Sequence, residues 1–92
     1  MKSAIKDCAA SFALMSDATR LGILALLSKG PQNVGGLCKA LGLKQPTVSH
    51  HLGLLRMGRL VVGTRKGKSV VYVADKDVLK AMAVCLAGLM PK

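Results

Sequence analysis

Three sets of side chains in this 92-residue chain could do chemistry. Gln45, Thr47, Ser49 and His50 crowd one short segment and carry donors and acceptors on short or flat groups. Such groups can reach the edges of nucleic-acid bases, where a Gln pairs bidentately with adenine and a Thr methyl touches a thymine methyl. Arg65, Lys66 and Lys68 surround Gly67, a cluster suited to phosphate. Cys8, Cys38 and Cys85 are the thiols, and His50 and His51 are the only imidazoles. The acids are Asp7, Asp17, Asp75 and Asp77, with none between Asp17 and Asp75. With both histidines in one segment and the acids near the ends, no acid–base pair or triad assembles, so the chain reads as a non-enzyme. An odd number of cysteines without a C-x-x-C pair argues against a secreted disulfide scaffold and for a reducing, cytoplasmic setting.

The charge points the same way. Fourteen Lys and Arg against four Asp leave a net charge of +10. The acid-free interval holds Arg20, Lys29, Lys39, Lys44, Arg56, Arg59, Arg65, Lys66 and Lys68. A solvated, salt-bridged surface would mix both signs, whereas this interval is a field aimed at a polyanion. No apolar run approaches the roughly 18 residues of a membrane span, and the N-terminal segment, with Lys6 and Asp7 inside it, does not read as a signal peptide. Charge alone does not separate DNA from RNA or anionic lipid; the helix and wing that follow, with the resemblance they carry, make duplex DNA the expected partner, with no membrane, no small-molecule substrate and no cofactor.

Five helices and one hairpin must position these groups. Ile5, Cys8, Ala9, Phe12 and Met15 make one apolar stripe of a helix over 3–15. Ser16 or Asp17 caps a second helix with Leu21, Leu24, Ala25 and Leu27 as its core face, ended by Gly30-Pro31. Asn33 caps a short third helix from Val34 to Leu41, with Gly42 in the left-handed position after it. Gln45-Pro46 opens a fourth, with proline at the first helical position and Val48, Leu52 and Leu55 on its apolar side. Leu60–Thr64 and Ser69–Ala74 read as strands joined by the turn 65–68. Asp75 caps a last helix striped by Val78, Ala81, Met82, Cys85, Leu86 and Leu89. The fold class is mainly α with a two-stranded β-hairpin wing, in the order α-α-α-α-β-β-α: a winged helix-turn-helix occupying residues 1–92 as one domain.

A helix fits the major groove of B-DNA and presents its N-terminal residues to base edges. Gln45, Thr47, Ser49 and His50 are then the base readers, Lys44 and Arg56 lie near phosphates, and Arg65, Lys66 and Lys68 contact phosphate or the minor groove. The competing assignment for the helix face is a plain solvent surface, and for the hairpin basic residues that guard a strand edge. A competing function is a winged-helix module that holds a protein or RNA partner. Such a docking face would carry aromatics or larger apolar groups.

The runs Ser16-Asp17-Ala18-Thr19-Arg20-Leu21-Gly22-Ile23-Leu24, Pro46-Thr47-Val48-Ser49-His50-His51-Leu52-Gly53-Leu54-Leu55-Arg56 and Arg65-Lys66-Gly67-Lys68-Ser69-Val70-Val71-Tyr72 resemble the ArsR/SmtB family of bacterial repressors over about residues 10–90. The resemblance implies homodimers paired through their first and last helices. It also implies binding to an inverted-repeat operator in the bacterial nucleoid, and release by a metal or a thiol-reactive signal. The two terminal apolar stripes, otherwise without a partner, would be buried in such a dimer. One departure concerns the glycine that the family places just before the first strand. Here that position is Arg59, with Gly58 one place earlier. Either the helix ends a residue sooner, or Arg59 adopts a strained turn or adds a phosphate contact.

The ligand sets that the family implies are incomplete. Where a Cys-x-Cys pair would stand on the third helix, Cys38 is followed by Lys39 and Ala40, and the last helix carries Asp75 and Asp77 but no histidine. No metal site is expected. Cys38, Cys85 and Cys8 remain as candidate thiol sensors, since resemblance to the redox-responsive branch would pair the Cys38 position with a cysteine on the last helix. The alternative is that Cys8 and Cys85 are small apolar residues of the interface.

Overall fold

The computed structural model describes residues 3–92. In order, its elements are α1 (Ser3–Met15), α2 (Ala18–Leu27), β1 (Gln32–Asn33), α3 (Val34–Leu41), α4 (Gln45–Met57), β2 (Val61–Lys66), β3 (Ser69–Ala74) and α5 (Lys76–Ala87). Local chemistry sets most helix starts. The Asp17 carboxylate accepts from the backbone N–H of Arg20 at 3.1 Å, and Asn33 accepts from Gly36 at 2.8 Å. Asp75 accepts from Asp77 and Val78 at 3.0 and 3.2 Å. Each satisfies N–H groups that a helix start leaves without partners. Helix α4 differs: Lys44 precedes it without a side-chain cap, and Pro46 is its second residue rather than its first.

The hairpin is longer and its turn tighter than the sequence suggests. Pairing runs from Val61↔Ala74 to Lys66↔Ser69, so Arg65 and Lys66 are strand residues and only Gly67-Lys68 remain as the turn. Gly67 takes φ 61°, as two-residue hairpin turns require at their first central position. A third strand joins the free edge of β3, with Gln32 opposite Tyr72 and Asn33 opposite Val71. Two residues carry no readable period, which is why the sequence suggests only two strands. This short strand ties the start of α3 to the wing.

Ile23, Leu24 and Leu27 of α2 meet Leu37 of α3 and Val48, Leu52 and Leu55 of α4 in the core, closed by Leu60, Val61 and Met82. The expected stripe of α4 is the observed one. On α2 the buried face is rotated: Leu21 is 51% exposed, whereas Ile23 is fully buried. Helix α2 packs against both α3 and α4, and its inward face is set by where those two neighbours lie.

The terminal helices contribute little to this core. Helix α1 has no buried residue and α5 only Met82. Ile5, Val84, Leu86, Leu89 and Met90 all lie at least half exposed. The radius of gyration, 14.1 Å, exceeds the roughly 12 Å of a compact chain of this length, as projecting helices require.

Arg59 resolves the departure noted above. It takes the left-handed conformation with φ 62°, the one non-glycine among the described residues to have a positive φ. Its N–H reaches Arg56 O at 3.0 Å, and the N–H of Leu60 reaches Leu55 O at 2.9 Å. This is the pair of bonds by which a glycine commonly closes a helix. One place earlier, a Cβ at Gly58 would overlap Cδ1 of Leu14, so the tip of that side chain would have to turn aside to admit one.

Candidate nucleic-acid interface

Helices α3 and α4 are joined through Gly42, Leu43 and Lys44, with Gly42 left-handed at φ 67°. Burial of Val48, Leu52 and Leu55 fixes the rotation of α4 about its axis. Lys44, Gln45, Thr47, Ser49 and His50 are consequently all exposed, as is Arg56 near the far end. Arg65, Lys66 and Lys68 are exposed on the wing.

The two halves of this surface meet. A cleft of about 300 Å³ is lined by Asn33, Val34 and Gly35 at the start of α3, by Gln45 at the start of α4, and by Lys68, Ser69, Val70 and Tyr72 of the wing. Gln45 and Lys68 therefore share one depression, and β1 holds its floor to the sheet. Arg56 does not share it. It lies eleven positions beyond Gln45 on the same helix, about 16 Å along the axis.

His51 and Arg20 have roles that the pattern of charges does not disclose. His51 faces inward from α4, with its side chain 16% exposed. An N–H of the Arg20 guanidinium lies 3.2 Å from His51 Nδ1, and Arg20 Nε donates to Leu14 O at 2.6 Å. Arginine can only donate, so in this contact Nδ1 is the accepting partner. Asp17 lies 3.8 Å from the same Nδ1. The N–H of Arg20 first, and then the Arg20 charge, hold the Asp17 carboxyl below the usual carboxylate range. Arg20 is thus engaged inside the protein, joining α1, α2 and α4, rather than being a free member of the basic field. The cap spacing Asp17–Arg20 was the one local signal of this; the third partner comes from α4.

The thiols also fall into a definite arrangement. Cys38, on α3, packs against the core beside α2 and α4. Cys8 and Cys85, on α1 and α5, line a common groove. Among the described residues no group of three or more His, Cys, Asp or Glu converges as a metal-ion site. No single described helix is long and apolar enough to cross a membrane.

Two helices joined by a tight turn, the second with its polar face exposed, and a basic hairpin beside them define a winged helix-turn-helix protein. Residues 17–62 match the model of the arsR family of bacterial regulatory proteins, and the chain belongs to that family. The HTH-type transcriptional regulator NmtR of Mycobacterium tuberculosis is 42% identical over 69 residues, 75% of this chain and 58% of the relative. The transcriptional repressor SdpR of Bacillus subtilis is 33% identical over 69 residues, 75% of this chain and 77% of the relative. A homodimeric winged helix-turn-helix DNA-binding domain from Mycobacterium bovis, described as a possible ArsR-family regulator, has a similar structure. Its TM-score is 0.77 at 28% identity, over 91% of this chain and 79% of that one. The chain spans little more than half the length of the M. tuberculosis relative and about three-quarters of the B. subtilis one.

Proposed function

We propose that this chain is a transcriptional repressor that binds an inverted-repeat operator as a homodimer in the bacterial cytoplasm, on nucleoid DNA. The observation that carries this reading is the shared surface of α4 and the wing. Gln45 and Lys68 line one cleft, and the acid-free interval surrounds it. Gln45, Thr47, Ser49 and His50 read base edges in the major groove, where a good bidentate contact discriminates by about 1–3 kcal/mol. Lys44, Arg56, Arg65, Lys66 and Lys68 contact phosphates and set the register without reading sequence. The uncapped N-terminus of α4 adds a backbone N–H and a positive dipole end toward the duplex.

Residues 1–92 act as one DNA-binding unit whose α1 and α5 make the dimer. The exposed Ile5, Val84, Leu86, Leu89 and Met90 support this, because a second copy would remove them from water. The similarity to the homodimeric M. bovis domain supports it too. A two-fold dimer requires a palindromic site with half-sites about one helical turn apart.

The test is selection of bound duplexes from a random pool by the purified protein, followed by gel shifts with Gln45→Ala. Recovery of a palindromic consensus, with relaxed preference at one position per half-site in the variant, is the expected result. Recovery of no consensus, with capture of single-stranded RNA or a protein instead, would reject the repressor reading.

A further inference from the structure

A pocket of about 520 Å³ opens between the end of α2, the chain that leads from it into β1, the end of β3 and the first turn of α5. Its size is within the range of small-molecule sites, roughly 300–1,000 Å³. The buried Leu24 and Leu27 and the partly buried Leu79 supply its floor. Pro31 and Val73 carry the apolar wall out to the surface, where Val73 is 38% exposed. The two charged residues of the pocket are Lys29, just past α2, and Lys76, the first residue of α5, both exposed. No residue lines both this pocket and the groove between α1 and α5. None of the exposed apolar residues assigned to the dimer lines it either.

The polar groups around the pocket mouth leave it distinctly cationic. No acid lines it, and among the described residues neither lysine has an ion-pair partner. Asp75, next to Lys76, is spent on the N–H groups of Asp77 and Val78, and Asp77 lines the groove beside α1 instead. The carbonyls that end α2 are taken as well. Leu24, Leu26 and Leu27 accept from the backbone of Ser28, Lys29 and Gly30, and Ala25 accepts from the Ser28 hydroxyl at 2.6 Å. What remains is two ammonium groups over an aliphatic floor that contains no aromatic ring. That pairing suits a ligand with one anionic end and an aliphatic body. An ammonium meets a carboxylate as a compact point charge, and the apolar floor takes the chain out of water.

We propose that this pocket binds a free medium-chain fatty acid, with its carboxylate between Lys29 and Lys76 and its chain on Leu24, Leu27 and Leu79, and that occupancy weakens DNA binding. The regulatory half of this rests on the repressor reading above. Two strands lead from the pocket to the DNA cleft. Pro31 runs into Gln32 and Asn33, which pair with Tyr72 and Val71. Asn33 and Tyr72 line the cleft that holds Gln45 and Lys68, and Val73 on the pocket wall adjoins Tyr72. A chain seated between α2 and β3 therefore acts on the two strands that hold the start of α3 to the wing. The bound carboxylate also brings negative charge to a chain of net charge +10, which lowers its attraction to a polyanion.

The experiment titrates the full chain with decanoate, below its micelle concentration and at constant ionic strength, and follows backbone amide shifts by NMR. Wild type is compared with the double variant Lys29→Gln/Lys76→Gln and with Val73→Asp, which sets a like charge on the exposed wall. Shifts in wild type should concentrate at residues 28–31, 73–76 and 79. Affinity should rise from hexanoate to octanoate to decanoate, by up to about fourfold for each methylene that leaves water. It should fall about tenfold or more in either variant, and likewise for decanol, which keeps the chain without the charge. Affinity for duplexes selected by the chain alone should drop about fivefold or more when decanoate fills the wild-type pocket, and hold in the variants. Shifts centred on Ile5, Val84 and Leu86, equal binding of decanol, or a filled pocket with unchanged DNA affinity would overturn the proposal. If decanoate fills the pocket but the chain selects no duplex, the repressor reading fails, while the carboxylate site stands by itself.

Discussion

Arg20 and His51 are joined at 3.2 Å across the interface between α2 and α4, and the same guanidinium holds the last turn of α1 through Leu14 O. One side chain thus braces three helices, and its imidazole partner stands next to the exposed His50, with ring centroids 5.3 Å apart.

Loss of this brace should cost stability and couple between the partners. Arg20→Ala should destabilise by about 1.5–3 kcal/mol, the range for hydrogen bonds to charged groups. His51→Leu should cost less once Arg20 is already absent, with a coupling of about 1 kcal/mol. His51→Gln, which keeps an acceptor, should retain part of it. Urea unfolding of the two single variants and the double variant measures the cycle. Simple additivity would show that the contact carries no energy.

Asp17 should make stability depend on acid. Its folded-state value is depressed, by the Arg20 N–H and the neighbouring charges. A depressed carboxylate contributes stability that is fully present above its unfolded value, about pH 4, and is lost as pH falls through the lowered folded value. Asp17→Asn keeps a capping oxygen without the charge. Wild type should therefore melt above Asp17→Asn at neutral pH, and the gap should close as the pH drops below about 4. Melting curves from pH 7 to pH 2 read this directly, and a gap independent of pH would contradict it.

Arg59 and Gly58 should respond in opposite directions to the exchange of a side chain. Arg59→Gly relieves a left-handed non-glycine residue, a conformation costing about 1–2 kcal/mol, and gives back part of that through the looser unfolded chain. A net gain of about 0.5–1 kcal/mol is expected. Gly58→Ala should destabilise slightly, because its methyl pushes the tip of the Leu14 side chain aside. Chemical denaturation of the two variants tests both signs.

Removing charge from the wing should weaken DNA binding to all sequences alike. Lys66→Ala and Lys68→Ala should each flatten the dependence of log affinity on log salt by about 0.9 per lost phosphate contact. Gel shifts at several salt concentrations, on selected and random duplexes, give the slopes. An unchanged slope would place these lysines off the phosphate backbone and leave them as guards of the hairpin edge.

The parts of the fold legible in the sequence are those written within a few residues. Asp17, Asn33 and Asp75 announce helix starts because a cap bond spans only two or three positions. Val48, Leu52 and Leu55 announce which side of α4 is buried, and so which side is left exposed, because a regular helix carries its own period. The turn at Gly67 was legible to within two residues. Arg59 was legible as an anomaly but not as an outcome, since its left-handed backbone shows only in the bonds that Arg59 and Leu60 make back to Arg56 and Leu55.

By itself, then, the sequence determined the element order, the polar face of the fourth helix and the basic wing. Each of these follows from local hydrogen bonding, periodicity or charge along the chain. Tertiary structure alone decided that Leu21 faces out and Ile23 in, that Gln32 and Asn33 make a third strand, that Arg20 is bound to His51, and that Cys8 and Cys85 line one groove while Cys38 packs elsewhere. These depend on how separate elements dock. Docking is a sum over many contacts between residues distant in the chain, and no short stretch of sequence contains it.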